Sequence, residues 1–197
     1  MYHYRRMTPE QRERVVRERH EQGFPWHAPP HLRGLSGAYL ITAACFQHQH
    51  IFADPSDLSW LLDETMHALN DAELACSAWV FLPNHYHLLL QTEDLAIVSE
   101  ALRLLHSHVA TEINGRQQER GRRVWYRFGD RFIRSERHHW ASVNYIHYNP
   151  VKHGYVDRMT DWPWSSIHEY VEQHGKQHML KMWRDVPIGD YGKGRDW

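Results

Sequence analysis

Apolar residues recur along the chain with two different spacings, and the switches between them outline a fold. Residues 38–46 (AYLITAACF) are almost wholly apolar and predict a buried strand. Asp54 then opens a helix over residues 55–72, where Leu58, Leu61, Leu62, Met66 and Leu69 recur at helical spacing. Residues 74–82 (LACSAWVFL) form a second strand. Pro83 and Asn84 make a tight connection to a third strand over residues 85–91, hairpin-paired to the second. Residues 95–114 read as a helix with Ile97, Ala101, Leu104, Leu105, Val109 and Ile113 on one face, and Gly115 is expected to end it. Residues 124–134 (VWYRFGDRFIR) have strand character interrupted at Gly129. Ser135 caps a helix over residues 137–148, which Asn149-Pro150 is expected to stop. Residues 152–158 read as a turn, and residues 161–166 (DWPWSS) as a turn leading to a short helix that reaches Tyr170.

The order strand–helix–strand–strand–helix–strand predicts an α+β fold, a ferredoxin-like βαββαβ sandwich with an antiparallel sheet and two helices on one face. Extensions flank this core. A charged helix is expected over residues 8–21, with Thr8 as cap and Pro9 at its first position, followed by a Pro- and Gly-rich linker over residues 24–37. Residues 175–197 are polar and read as a partly disordered tail. The division predicted is an N-terminal extension (1–34), a core domain (35–170) and a C-terminal tail (171–197).

With 197 residues, 42% of them hydrophobic, the chain can bury a good core. The formal charge of −1 does not point to a polyanion, but the distribution of charge does. Arg116, Arg120, Arg122, Arg123, Arg127, Arg131, Arg134 and Arg137 crowd one segment, opposed there by Glu119, Asp130 and Glu136. Such a stripe suits phosphates, and it equally suits a solvated loop. Trp125, Tyr126 and Trp164 are candidates for stacking on bases, with core packing as the competing role. Cys45 and Cys76 lie in apolar runs without metal or redox spacing, so buried thiols in a reducing cytoplasm are expected. No apolar run reaches the roughly 18 residues of a membrane span, and the first residues lack the apolar core of a signal peptide.

The candidate chemistry lies in two stretches. In VFLPNHYHLLLQ (residues 80–91), period-two alternation turns His85 and His87 to one face and Tyr86 to the other. Two imidazoles side by side suit one metal ion, and they also suit a polar strand face. In VNYIHYNPVKHGYV (residues 143–156), Tyr145 and Asn149 stand one helical turn apart on one face. A metal held by two imidazoles and an amide oxygen can polarise a phosphate, letting a phenol attack it. The competing reading is an aromatic packed on the sheet, and Tyr148 is the alternative nucleophile.

FLPNHYHLLLQ, followed by YIHYNPVKHGYV and DWPWSS, resembles the REP-associated tyrosine transposases. These are domesticated relatives of small insertion-sequence transposases among the HUH endonucleases. The resemblance covers roughly residues 38–170. It implies a ferredoxin-like nuclease acting on single-stranded or hairpin DNA, REP-like palindromes in particular, with Mg²⁺ or Mn²⁺. It maps the metal ligands to His85, His87 and Asn149. Tyr145 maps to the nucleophile that forms a 5′-phosphotyrosine link and releases a 3′-hydroxyl. Relatives among the insertion-sequence enzymes carry Gln where Asn149 stands. The DNA track would comprise Arg116, Arg122, Arg123, Arg127, Arg131 and Arg134, with Lys152 and His153 beside the active helix. A monomer or homodimer is expected, cytoplasmic and nucleoid-associated. Competing readings are a hairpin-binding protein that does not cleave, and a metal-dependent hydrolase using activated water.

Overall fold

The fold was established from a computed structural model, which describes Thr8 and residues 36–189. Among the described residues, four strands form one antiparallel sheet: β1 (Gly37–Ala44), β2 (Ala75–Leu82), β3 (His85–Thr92) and β4 (Gly129–Phe132), in the order β2-β3-β1-β4. Five α-helices accompany them: α1 (Pro55–Asp71), α2 (Leu95–Arg116), α3 (Glu136–Lys152), α4 (Ile167–His174) and α5 (Lys176–Asp185). The order and strand directions are those of the expected α+β ferredoxin-like arrangement. The expected N-terminal helix and nearly all of the linker lie outside the described residues.

The run of apolar residues in β3 has a simple cause. It is flanked by β1 (Leu40 opposite Leu89) and by β2 (Val80 opposite His87), and both of its faces are covered. Tyr86, Leu88 and Leu90 alternate with His85, His87 and Leu89, all of them buried. On the Tyr86 face, α2 brings His106, whose Nε2 lies 2.7 Å from the Tyr86 hydroxyl. Trp125 stacks on His106 at 4.5 Å. The opposite face, carrying the two strand histidines, is covered by α3. Each long helix starts at a side-chain cap. Asp54 accepts from the Ser56 N–H, Asp94 from the Ala96 N–H and Ser135 from the His138 N–H. The outer edge of β2 is closed by the DWPWSS segment, where the Phe81 N–H donates to the Trp164 carbonyl and the Ser166 N–H to the Trp79 carbonyl. No helix among the described residues is long and apolar enough to cross a membrane.

Four local expectations are corrected. Gly115 lies inside α2, and the chain reverses at Gln118 (φ 57°) instead. Asn114 and Arg122 bond across that reversal, so tertiary contacts decide where the helix gives way. The strand expected over residues 124–134 shrinks to β4, which begins at Gly129. Upstream, Trp125 makes one bridge to Cys45 and turns its ring into the core against Phe52. Helix α3 runs through Asn149-Pro150 to Lys152. Proline within a helix costs about 3 kcal/mol. Here Asn149 and Pro150 are both buried, and the last turn closes with the His153 N–H on the Asn149 carbonyl, so packing outweighs the local preference. Residues 176–185 of the expected tail form α5, tied to α3 where Asn144 Nδ2 donates to the Val186 carbonyl at 2.8 Å.

Burial pushes the pKa of His106 down to about 4, against an unfolded value near 6.5. The unfolded chain therefore takes up this proton first, and stability present above pH 6.5 is lost as pH falls towards 4. Urea midpoints measured across that window should fall less steeply in His106→Gln than in the wild type. The difference should reach up to about tenfold in the folding constant per pH unit; parallel curves would contradict it.

Candidate active site

The site lies between the start of β3 and the second half of α3. Strand alternation brings His85 and His87 to one face, with ring centroids 5.1 Å apart and nearly perpendicular. Helical spacing brings Tyr145 and Asn149 down onto them. The Tyr145 hydroxyl lies 3.4 Å from His87 Nε2, and Asn149 Oδ1 lies 3.0 Å from His85 Nε2. All four side chains are buried, His85 the least so at 8% exposure. Burial, with His153 as the next cause, pushes the pKa of His85 down to about 3; burial and then His85 hold His87 well below its ordinary value.

The last turn of α3 closes the mouth. Lys152 Nζ stands 5.1 Å from the centroid of the Tyr145 ring, and the His153 ring lies 4.9 Å from that of His85. Desolvation lowers the pKa of both Lys152 and His153. Tyr148 points elsewhere, 5.1 Å from the Trp183 ring of α5. It is therefore Tyr145 that reaches the imidazole pair, and it does so within one chain.

Two contributors escaped the sequence reading. Thr42 Oγ1 lies 2.8 Å from His87 Nδ1, and Asn84 Oδ1 lies 2.7 Å from His85 Nδ1. Thr42 is the one aliphatic hydroxyl in the apolar run of β1, a usable signal; the sequence marks Asn84 only as a turn residue. Among the described residues, no group of three or more His, Cys, Asp or Glu is placed to hold a metal ion, so the candidate donor set is two imidazoles and an amide.

The arginines divide into two groups. Three are engaged within the protein at the end of α2. Arg116 lies over the Trp60 ring at 3.9 Å. Arg122 donates to Asn114 Oδ1 at 2.9 Å and to Gln117 Oε1 at 2.8 Å. Arg123 lies over Phe46 at 4.6 Å. Arg131 on β4 and the exposed Arg134 sit close enough to His138, at the start of α3, to add to the effect of burial in lowering its pKa. Arg127 is exposed. Among the stacking candidates, Trp125 is core, with 8% exposure. Trp164 Nε1 donates to Ser59 Oγ. Tyr126 packs 5.0 Å from Phe46.

Comparison with known proteins gives a consistent picture. The chain is 33% identical over 121 residues to a protein of Haemophilus influenzae assigned to the REP-associated tyrosine transposases, covering 53% of this chain and 69% of that one. It is 30% identical over 106 residues to the REP-associated tyrosine transposase of Escherichia coli, covering 51% of this chain and 59% of that one. A solved REP-associated tyrosine transposase bound to a REP hairpin shares the fold, with TM-score 0.59, 23% identity, and coverage of 76% of this chain and 87% of that one. No protein-family model matches the chain.

The two arginine groups should respond differently to truncation. Arg122→Ala strips two partners from the α2 reversal and should lower the unfolding free energy by about 1–3 kcal/mol. Arg134→Ala should stay within about 0.5 kcal/mol of wild type. Urea denaturation measures both, and equal effects would show that Arg122 holds nothing.

Proposed function

Because the chain belongs to the REP-associated tyrosine transposase family, we propose that it nicks and rejoins single-stranded DNA at REP-type hairpins, with Tyr145 as the nucleophile and a divalent ion as cofactor. The observation that carries this reading is the 3.4 Å approach of the Tyr145 hydroxyl to His87 Nε2, one helical turn from the Asn149–His85 pair.

His85, His87 and Asn149 would hold Mg²⁺ or Mn²⁺. The donors fit such an ion. Asn149 Oδ1 and His85 Nε2 are 3.0 Å apart, the spacing of neighbouring donors about an ion with bonds of roughly 2.1 Å. Asn149 Nδ2 is buried without a hydrogen-bond partner, so no internal donor role explains how the amide is turned. Two imidazoles favour Mn²⁺ on ligand softness. When bound, the ion would polarise the scissile phosphate and stabilise the departing oxygen.

The residues of the chain do the rest. A free phenol ionises only near pH 10, and the Lys152 ammonium above the Tyr145 ring favours the phenolate as it forms. The Tyr145 oxygen attacks phosphorus and its proton leaves to water. The bond from phosphorus to the 3′ oxygen breaks, that oxygen takes a proton, and the 5′-phosphate stays on the tyrosine. Attack by a 3′-hydroxyl on this linkage reverses the step and joins strands. Lys152, Arg127, Arg131 and Arg134 are the cations proposed for the DNA backbone, with the His153 imidazole as a neutral hydrogen-bonding partner. Because Tyr145 and both histidines meet within one chain, the reading favours a monomer acting on its own substrate.

A hairpin oligonucleotide with a single-stranded flank tests this reading. Wild type and Tyr148→Phe should give a covalent protein–DNA adduct on a denaturing gel with Mn²⁺, and Tyr145→Phe should give none. Binding without any change in DNA length would indicate a protein that does not cut, and cleavage surviving in Tyr145→Phe would indicate activated water. Mixing Tyr145→Phe with His87→Ala should not restore the adduct, whereas restoration would mean exchange of α3 between two copies. For the track, the Arg127→Ala/Arg134→Ala double variant should reduce the slope of log affinity against log salt by about 2; an unchanged slope would move the track elsewhere.

A further inference from the structure

We propose that Asn84 and Thr42 are positioning residues that hold His85 and His87 in one tautomer, with the proton on Nδ1, so that both Nε2 lone pairs face α3. The inference refines the site described above, and only the metal-affinity arm of its test depends on the proposed cofactor.

His85 is fixed from outside its strand, by the short turn after β1. Gln47 (φ 61°, ψ 20°) and His48 (φ 53°) are both left-handed, a conformation uncommon for residues other than glycine. The backbone around the turn is held by the Phe46 N–H on the Val124 carbonyl and the His48 N–H on the Cys45 carbonyl. The His48 carbonyl accepts from Asn84 Nδ2 at 3.4 Å. With its nitrogen engaged there, the Asn84 amide presents its oxygen to His85 Nδ1 at 2.7 Å. A carbonyl oxygen can only accept, so Nδ1 carries the proton. A neutral imidazole has one N–H, which leaves Nε2 as a lone pair.

Two hydroxyls face the His87 ring, Thr42 Oγ1 at 2.8 Å from Nδ1 and Tyr145 at 3.4 Å from Nε2, and the Ile41 backbone bonds it as well, favouring its protonated form. The phenol is by far the more acidic and is the better donor, so Nε2 accepts and Nδ1–H donates to Thr42. Both rings are therefore oriented from behind by a side-chain oxygen, the arrangement that fixes metal-binding histidines.

With the proton on Nδ1, His85 turns a lone pair towards Asn149. Its Oδ1 faces the His85 Nε2 lone pair at 3.0 Å, two acceptors with no proton between them, while its Nδ2 has no partner. A cation between the acceptors resolves the clash. Without one, turning the amide over lets Nδ2 donate to Nε2.

Long-range ¹H–¹⁵N NMR spectra of the full ¹⁵N-labelled chain read ring tautomers directly. At pH 7.5 and without metal, His85 and His87 should both show a protonated Nδ1. Thr42→Val, which is isosteric and keeps the strand, should shift His87 towards the Nε2–H form, and Asn84→Ala should do the same for His85. Each variant should also weaken Mn²⁺ binding, read from the free-ion electron paramagnetic resonance signal, by about 10- to 100-fold. Thr42→Ser should restore both readouts. Wild-type rings protonated on Nε2, or tautomers unmoved in both variants, would overturn the proposal. Wild-type tautomers as expected, shifted in the variants, with no Mn²⁺ bound by any of the proteins, would uphold the positioning roles and refute the cofactor.

Discussion

A phenol and an imidazole meet 3.4 Å apart where α3 crosses β3, and most of the surrounding structure exists to make that contact tolerable. Burying polar groups costs free energy unless each finds a partner. Two histidines, a tyrosine and an asparagine are buried together here, at the face of a sheet whose other side is filled by leucine and aromatic rings. Thr42 and Asn84 satisfy the far nitrogens of the rings from behind. Register makes this possible: Thr42 pairs directly with His87 across β1 and β3, and Ala44 with His85. A slip of one residue would turn both imidazoles to the α2 face and remove their partners at once.

The parts of the site legible in the sequence are those set by periodicity. Strand alternation places His85 and His87 on one face, and helical spacing places Tyr145 above Asn149; both are properties of a single element. What could not be read depends on two elements meeting. Thr42 is recognisable as a lone aliphatic hydroxyl in an apolar run, but its partner is 45 residues away. Asn84 has the chemistry of a turn residue and serves as one, while its side chain also bridges His48 and His85. The charge of the basic segment was plain, but the bonding of Arg122 to Asn114 and Gln117 was not, because it requires α2 to pass Gly115 before reversing.

Pro150 shows why a local rule fails at this place. Ending the helix before Asn149 would satisfy the backbone preference and would take the amide and the following cations away from the strand. Continuing it carries Asn149 to His85, Lys152 over the Tyr145 ring and His153 beside His85. The strained choice is held by burial of Asn149 and Pro150 on one side and by the bonds from Asn144 to the end of α5 on the other. Helix α5, outside the βαββαβ core, thus belongs to the support of the site.

Electrostatics then sets what the mouth can accept. After burial, the neighbours that oppose a proton on His85 are His153, His48 and Lys152, and those that oppose one on His87 include His85, His153 and Lys152. A group of this kind favours lone pairs over N–H⁺ at the rings, and Lys152 concentrates positive potential at the rim, where it is exposed. Both effects act in the same direction for phosphate chemistry. On the proposed function, the ring nitrogens would stay available as donors to a cation, and the rim would attract the anionic backbone that the phenol has to reach. A net charge of −1 for the whole chain conceals this, because the field that matters arises within the last turn of one helix and its nearest neighbours.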